Sequence, residues 1–166
     1  IPSKSKLYFG ESAKVKREIE AICADILYSD GYEEIVTPIF SYHQHSSFED
    51  EKPLLHLHDE HNHTVTLRAD STADVVRIVT KRIGRTTESK KWFYIQPALS
   101  FPTTEQHQIG VEIIDGSFEE VVNTATNLVK KLKFDALLQV SNMRIPMILS
   151  QNYGIDLKLL ADTNIE

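Results

Sequence analysis

Apolar residues recur at helical spacing over 12–29, where Val15, Ile19, Ile22, Cys23, Ile26 and Leu27 share a face and Lys14, Lys16, Arg17, Glu18 and Glu20 take the others. The spacing predicts an amphipathic helix stopped at Gly31. Residues 33–37 before Pro38 read as extended, because the residue preceding a proline is pushed out of the helical region. Residues 41–53 are polar and irregular. Leu55–His58 and Thr64–Leu67 then alternate on either side of Asp59–His63, which predicts a β-hairpin. Asp70, Ser71 and Thr72 offer N-caps to a second helix carrying Val75, Val76, Ile78, Val79 and Ile83 and closed at Gly84.

Trp92–Ile95 is a β-prone run, and 107–114 alternates polar with apolar up to Asp115–Gly116, so the two segments are expected as antiparallel neighbours. Phe118, Val121, Val122, Ala125, Leu128, Val129 and Leu132 predict a third amphipathic helix with its stripe in the core, and Lys130, Lys131 and Lys133 complement its dipole. A strand over 136–140 and a short helix over 145–151 follow. This order of elements predicts an α+β fold, an antiparallel sheet flanked by helices.

Composition narrows the function classes. The 166 residues hold 41% hydrophobic and 25% charged side chains with six Gly and six Pro, which fits one packed domain rather than a linker. Eighteen Lys+Arg against 24 Asp+Glu give a net charge of -6, which argues against a free-standing nucleic-acid binder. Cys23 is the sole cysteine, so an intramolecular disulfide and a Cys-cluster zinc site are excluded, and a reducing, cytoplasmic setting is expected. No stretch is apolar enough for a membrane span.

Six of the seven histidines lie between His43 and His63. His56 and His58 share a strand face and alternation leaves room for His63 to face them across the hairpin, a possible surface zinc or nickel geometry. No Cys or Asp/Glu constellation is seen to complete it, so a polar hairpin tip without a physiological metal is expected. Asp70 and Thr72 read locally as helix caps, and Arg68 and Arg77 as salt-bridged side chains rather than anion ligands. His107 is expected to pack beside its neighbours rather than to act as an acid or base.

Several segments taken together resemble the catalytic domain of class II aminoacyl-tRNA synthetases, in its histidyl branch, over about residues 8–155. Gly31–Pro38 resembles the end of the family's first motif, whose strand and proline build the dimer interface. Leu67–Ala73 resembles its Leu-Arg-Pro-Glu-Gly-Thr-Ala stretch, with Asp for Glu and Ser for Gly. Trp92–Pro97 with His107–Glu112 resembles the two strands of the second motif. The resemblance implies that Asp70, Thr72, Gln108 and Glu112 surround the α-amino group of an amino acid of the histidine type, as oxygen acceptors suited to an ammonium. It also implies a dimer formed around Pro38.

Two departures bear on activity. Where the family carries Phe-Arg-Tyr-Glu, its arginine binding the ATP α-phosphate, this chain has Leu99-Ser100-Phe101-Pro102. A neutral serine cannot replace a permanently charged, bidentate fork. The following stretch to Gln106 is short and lacks a basic residue, where synthetases use a longer basic loop for ATP and the tRNA end, so neither adenylation nor tRNA binding is expected. Nothing in 142–166 resembles the third motif, so the chain is expected to be an incomplete portion of one class II synthetase-like domain spanning 1–166.

A lost phosphate site beside a retained amino-acid site is similar to the regulatory subunits of ATP phosphoribosyltransferase. That resemblance implies a non-catalytic, allosteric role in histidine biosynthesis, a catalytic phosphoribosyltransferase subunit as partner, a second copy of the chain, histidine as ligand, and no cofactor. The alternatives are a histidyl-tRNA synthetase core, active or degenerate, and a synthetase-derived interaction module with no small ligand.

Overall fold

The computed structural model describes residues 1–42, 54–83, 90–137, 142 and 144–157. Two compact units divide the chain, Ile1–Phe134 and Asp135–Glu166. In the first, helix α1 (Glu11–Ser29) precedes β1 (Glu33–Glu34), β2 (Phe40–Ser41), β3 (His56–His58) and β4 (Thr64–Leu67). Helix α2 (Ser71–Ile78) runs into a π-helical turn, Val79–Ile83. Strands β5 (Lys91–Ser100) and β6 (Thr104–Ile113) and helix α3 (Phe118–Lys131) complete the unit. Within the second unit, α4 spans Arg144–Tyr153. Of the expected strand over 136–140, residues 136 and 137 are not extended into a ladder, and the rest lies outside the described residues, as do His43, His45 and Gly84.

Among the described residues two three-stranded sheets form, ordered β1-β5-β6 and β2-β4-β3. β5 and β6 pair antiparallel along their whole length, from Lys91 opposite Ile113 to Ser100 opposite Thr104. β3 and β4 form the expected hairpin, His58 opposite Thr64. β1 departs from the all-antiparallel expectation and pairs parallel to β5, Glu33 opposite Trp92. Residues 35–90, α2 among them, connect β1 to β5, which is the long crossover a parallel pair requires.

Alternation along β5 creates two cores. Trp92 and Tyr94 pack on one face with Ile35, Val75 and Val79, against α2. Phe93, fully buried, packs on the other with Leu27 and Tyr32, against α1, and Leu128 of α3 joins it. The Tyr32 hydroxyl and Thr124 Oγ1 share a buried hydrogen bond of 2.8 Å, which ties α3 to this core. Cys23 is 2% exposed and faces inward as expected.

The α3 stripe corrects the expectation of a core helix. Phe118 is 75% exposed, Val121 and Val129 are also exposed, and among the described residues of α3 only Thr124 is buried. The helix lies on the sheet by the edge that carries Thr124 and Leu128, so periodicity identified a helix but not the side that packs. Ser117 caps it, its hydroxyl accepting from Glu120 N–H at 3.2 Å.

Candidate functional site

Residues 108, 110 and 112 of β6 stand opposite Gln96, Tyr94 and Trp92 of β5, so their side chains share the sheet face over which α2 begins. Asp70, extended at φ -152° and ψ 142°, caps that helix by accepting from Thr72 N–H at 2.9 Å. This leaves its second oxygen, Oδ2, to accept from Gln108 Nε2 at 3.1 Å. Gln108 Oε1 in turn accepts from Ser71 N–H at 3.2 Å, which fixes the orientation of the amide. Asp70 and Gln108 are thus clamped across helix start and strand.

Thr72 and Glu112 are joined through Tyr94, a residue of the β-prone run that carried no functional expectation. The Tyr94 hydroxyl lies 3.2 Å from Thr72 Oγ1 and 3.4 Å from Glu112 Oε1, donating to the carboxylate. All four expected residues therefore converge, with Tyr94 as the fifth. The one sequence signal for it was Gly110, a glycine inside a strand, which often marks a close approach by a neighbour.

Burial pushes the Glu112 carboxyl above its usual range, as does the Asp70 charge, while the hydroxyls of Thr72 and Tyr94 act the other way. Burial likewise raises the Tyr94 phenol. Among the described residues, these five side chains bond to one another and to backbone N–H groups, with no basic side chain in the set. Such a cluster of acceptors, one carboxylate held against its preference for water, suits a cationic ammonium with three donors.

Pro38 is exposed, and the residue before it is clasped at every polar atom. Gln96 Oε1 accepts from Thr37 N–H at 3.1 Å, and Gln96 Nε2 donates to Thr37 Oγ1 at 3.0 Å. Arg68 Nη1 donates to Thr37 O at 2.7 Å and to its Oγ1 at 3.1 Å, and Arg68 Nε donates to Pro97 O at 2.8 Å. The guanidinium is 3% exposed, and burial holds it below its ordinary pKa despite the nearby Asp74. Arg68 is therefore a structural cation committed to carbonyls, not a phosphate ligand. Arg77 pairs with Asp74 at 3.0 Å, as its position suggested.

Ser100, which the resemblance sets against the family's arginine, ends β5, and only Phe101, Pro102 and Thr103 separate it from β6. The turn is closed by a Ser100–Thr104 pair and carries no cation. His107 is exposed, its ring edge-on to Tyr8 at 6.0 Å.

The hairpin histidines do not share one face. Pairing of His58 with Thr64 places His63 beside Asp59, on the face opposite His56 and His58. A carboxylate group does accompany them: one ligand atom each from Asp59, Glu60 and His61 lies within 4.8 Å of the others. The Asp59 oxygens are already occupied. They accept from the N–H groups of His61 and His63 at 2.9 and 2.8 Å, from the Tyr42 hydroxyl at 3.0 Å, and lie 3.2 Å from His63 Nδ1. These bonds, the His63 backbone bond foremost, hold the Asp59 carboxyl down to about 2 and order the turn.

No described helix is long and apolar enough to cross a membrane. Comparison with known proteins gives a consistent kinship. Two proteins named ATP phosphoribosyltransferase regulatory subunit, from Wolinella succinogenes and Helicobacter hepaticus, are 44% and 42% identical over 100% and 99% of this chain. The chain spans 58% and 59% of their lengths. Among solved structures, one described as an ATP phosphoribosyltransferase regulatory subunit/histidyl-tRNA synthetase from Bacillus halodurans superposes over 100% of this chain and 52% of its own, with TM-score 0.73 and 20% identity. Apo histidyl-tRNA synthetase of S. aureus matches 78% of this chain and 33% of its own, at TM-score 0.62 and 27% identity. These likenesses establish the class II synthetase type of α+β fold. The family model described as Histidyl-tRNA synthetase matches residues 8–161, and the chain belongs to that family.

Proposed function

We propose that this chain is the synthetase-like portion of a regulatory subunit of ATP phosphoribosyltransferase, acting in histidine biosynthesis without covalent chemistry of its own. Asp70, Thr72, Gln108 and Glu112 receive the α-amino group of a histidine-type amino acid. The bound amino acid alters the catalytic subunit by favouring one of two conformations of the assembly, so the coupling rests on differential affinity alone. The observation that carries this is the combination of an acceptor cluster joined by hydrogen bonds with a three-residue β5–β6 turn that follows Ser100 and holds no cation. The names of the 44% and 42% identical relatives support the same assignment.

Self-association belongs to the proposal. Val36, Pro38 and Phe40 are exposed in a segment whose intervening Thr37 is fixed from within, Val36 being 74% and Phe40 55% exposed. A second copy covering this edge would bury the apolar side chains, the use to which the family puts its first motif.

The full-length protein should be mixed with a short catalytic phosphoribosyltransferase subunit of the same organism. Formation of phosphoribosyl-ATP is expected to depend on the mixture and to fall when histidine is added. Histidine-dependent exchange of pyrophosphate into ATP by this protein alone would instead assign it to the ligases that the family description names.

A further inference from the structure

Gly110 stands opposite Tyr94 in the β5–β6 ladder. Its backbone is in an ordinary extended conformation, so the absence of a side chain is not needed for torsional reasons. It is needed for space. A Cβ built at 110 would fall 2.7 Å from Tyr94 Cε2 and closer still to Cζ and the hydroxyl oxygen, well inside van der Waals contact. The Tyr94 ring thus lies across the β6 backbone at the one position where β6 has no side chain.

The far end of the ring is both what Gly110 admits and what the site uses. The same Cζ–OH unit that occupies the Cβ position brings the hydroxyl to 3.2 Å from Thr72 and 3.4 Å from Glu112. Tyr94 is 5% exposed and wedged among Ile35, Val75, Val79 and Trp92, so the ring cannot retreat without leaving these partners. A methyl at 110 would therefore lift the hydroxyl off Glu112 while leaving the strand pairing intact.

We propose that Gly110 and Tyr94 form a steric pair that positions the Thr72–Tyr94–Glu112 chain, making Gly110 the residue that decides whether the cluster grips an ammonium. Gly110 touches no ligand. Tyr94 sets the direction of the Glu112 oxygens, and Gly110 sets the place of Tyr94. The proposal rests on the amino-acid site described above and adds the device that shapes it.

The test is a double-mutant cycle on the full-length protein, read by calorimetric titration with histidine and checked for folding by circular dichroism. Gly110→Ala is expected to weaken histidine binding about tenfold or more, and Tyr94→Phe, which keeps the ring, also about tenfold, the loss of one hydrogen bond to a charged partner. In a Tyr94→Leu background, Gly110→Ala is expected to change affinity less than about twofold, because the conflict is gone. An NMR signature independent of ligand accompanies these: the Gly110 Hα that takes the place of a Cβ faces the Cζ–OH end of Tyr94, and its chemical shift should change in Tyr94→Leu. A folded Gly110→Ala protein that binds histidine like the parent overturns the proposal, as does an equal loss in both backgrounds. An unmodified protein silent to histidine overturns the amino-acid site itself and this proposal with it, an outcome visible before any variant is made.

Discussion

Replacing Arg68 by methionine, close to it in length but uncharged, isolates the polar clasp beneath Pro38. Two of its bonds are short, 2.7 Å to Thr37 O and 2.8 Å to Pro97 O, and a third reaches Thr37 Oγ1 at 3.1 Å. Hydrogen bonds from a charged donor contribute about 1.5–3 kcal/mol each, and the two short ones alone suggest ~3–6 kcal/mol. Against this, methionine avoids the desolvation of a buried cation, a penalty of several kcal/mol that the native fold carries. The carbonyls left without partners keep the loss at the upper end of that range, so it exceeds the relief by roughly 3 kcal/mol. With a urea slope of about 2 kcal/mol/M the midpoint should fall by ~1.5 M. Arg68→Lys is expected to restore less than half of this, since a single ammonium cannot span Pro97 and Thr37 as the fork does. Urea unfolding followed by Trp92 fluorescence reads both. A midpoint within ~0.3 M of the parent would refute the reasoning, because the guanidinium would then have no net role beyond what water supplies.

Other outcomes follow from titration and burial. Glu112 has a folded pKa above its unfolded value, so its contribution to stability is present below the unfolded pKa and is lost as pH rises through the raised one. Glu112→Gln should therefore match the parent in thermal midpoint near pH 4 and exceed it near pH 8, and equal differences at both would contradict the burial argument. Asp59 is shifted the other way, to about 2, so the turn it organises should persist as pH falls through the ordinary carboxylate range and loosen only near that value. The amide resonances of His61 and His63, which donate to Asp59, report this; a transition at the ordinary aspartate pKa would show the bonds to be weak. Cys23 is buried, and burial raises its thiol, so a thiol reagent should label it only as fast as the protein unfolds. Rapid labelling under native conditions would show that the face of α1 carrying Cys23 opens.

Local signals were legible and tertiary ones were not. Apolar periodicity located α1, α2 and α3, the β3–β4 alternation and its turn residues located the hairpin, and Asp70 was visible as a cap before its partner was known. The four acceptors were found through family resemblance, since their meeting depends on β6 lying beside β5 with 108 and 112 on the face toward α2. Tyr94 was hidden because an aromatic in a β-prone run reads as core, which it also is. The exposure of Phe118 could not be seen, because a stripe at helical spacing says that one face is apolar and not that anything covers it. The face of His63 was open to either side, because alternation alone does not fix register and a shift of one residue reverses every side chain. Arg68 and Gln96 closing on Thr37 join segments about 30 and 60 residues apart in sequence, beyond any local pattern.

On the proposed function, an ammonium-bearing amino acid sits on Asp70, Thr72, Gln108 and Glu112 in a protein that does not handle ATP as a ligase does. Calorimetric titration of the full-length protein with histidine, and then with ATP and magnesium, addresses it most directly, with an Asp70→Ala, Glu112→Ala double variant as control. Saturable histidine heat that disappears in the double variant, with no histidine-coupled ATP binding, is the expected result. Histidine binding that survives the double variant, or ATP binding that strengthens with histidine, would contradict the account.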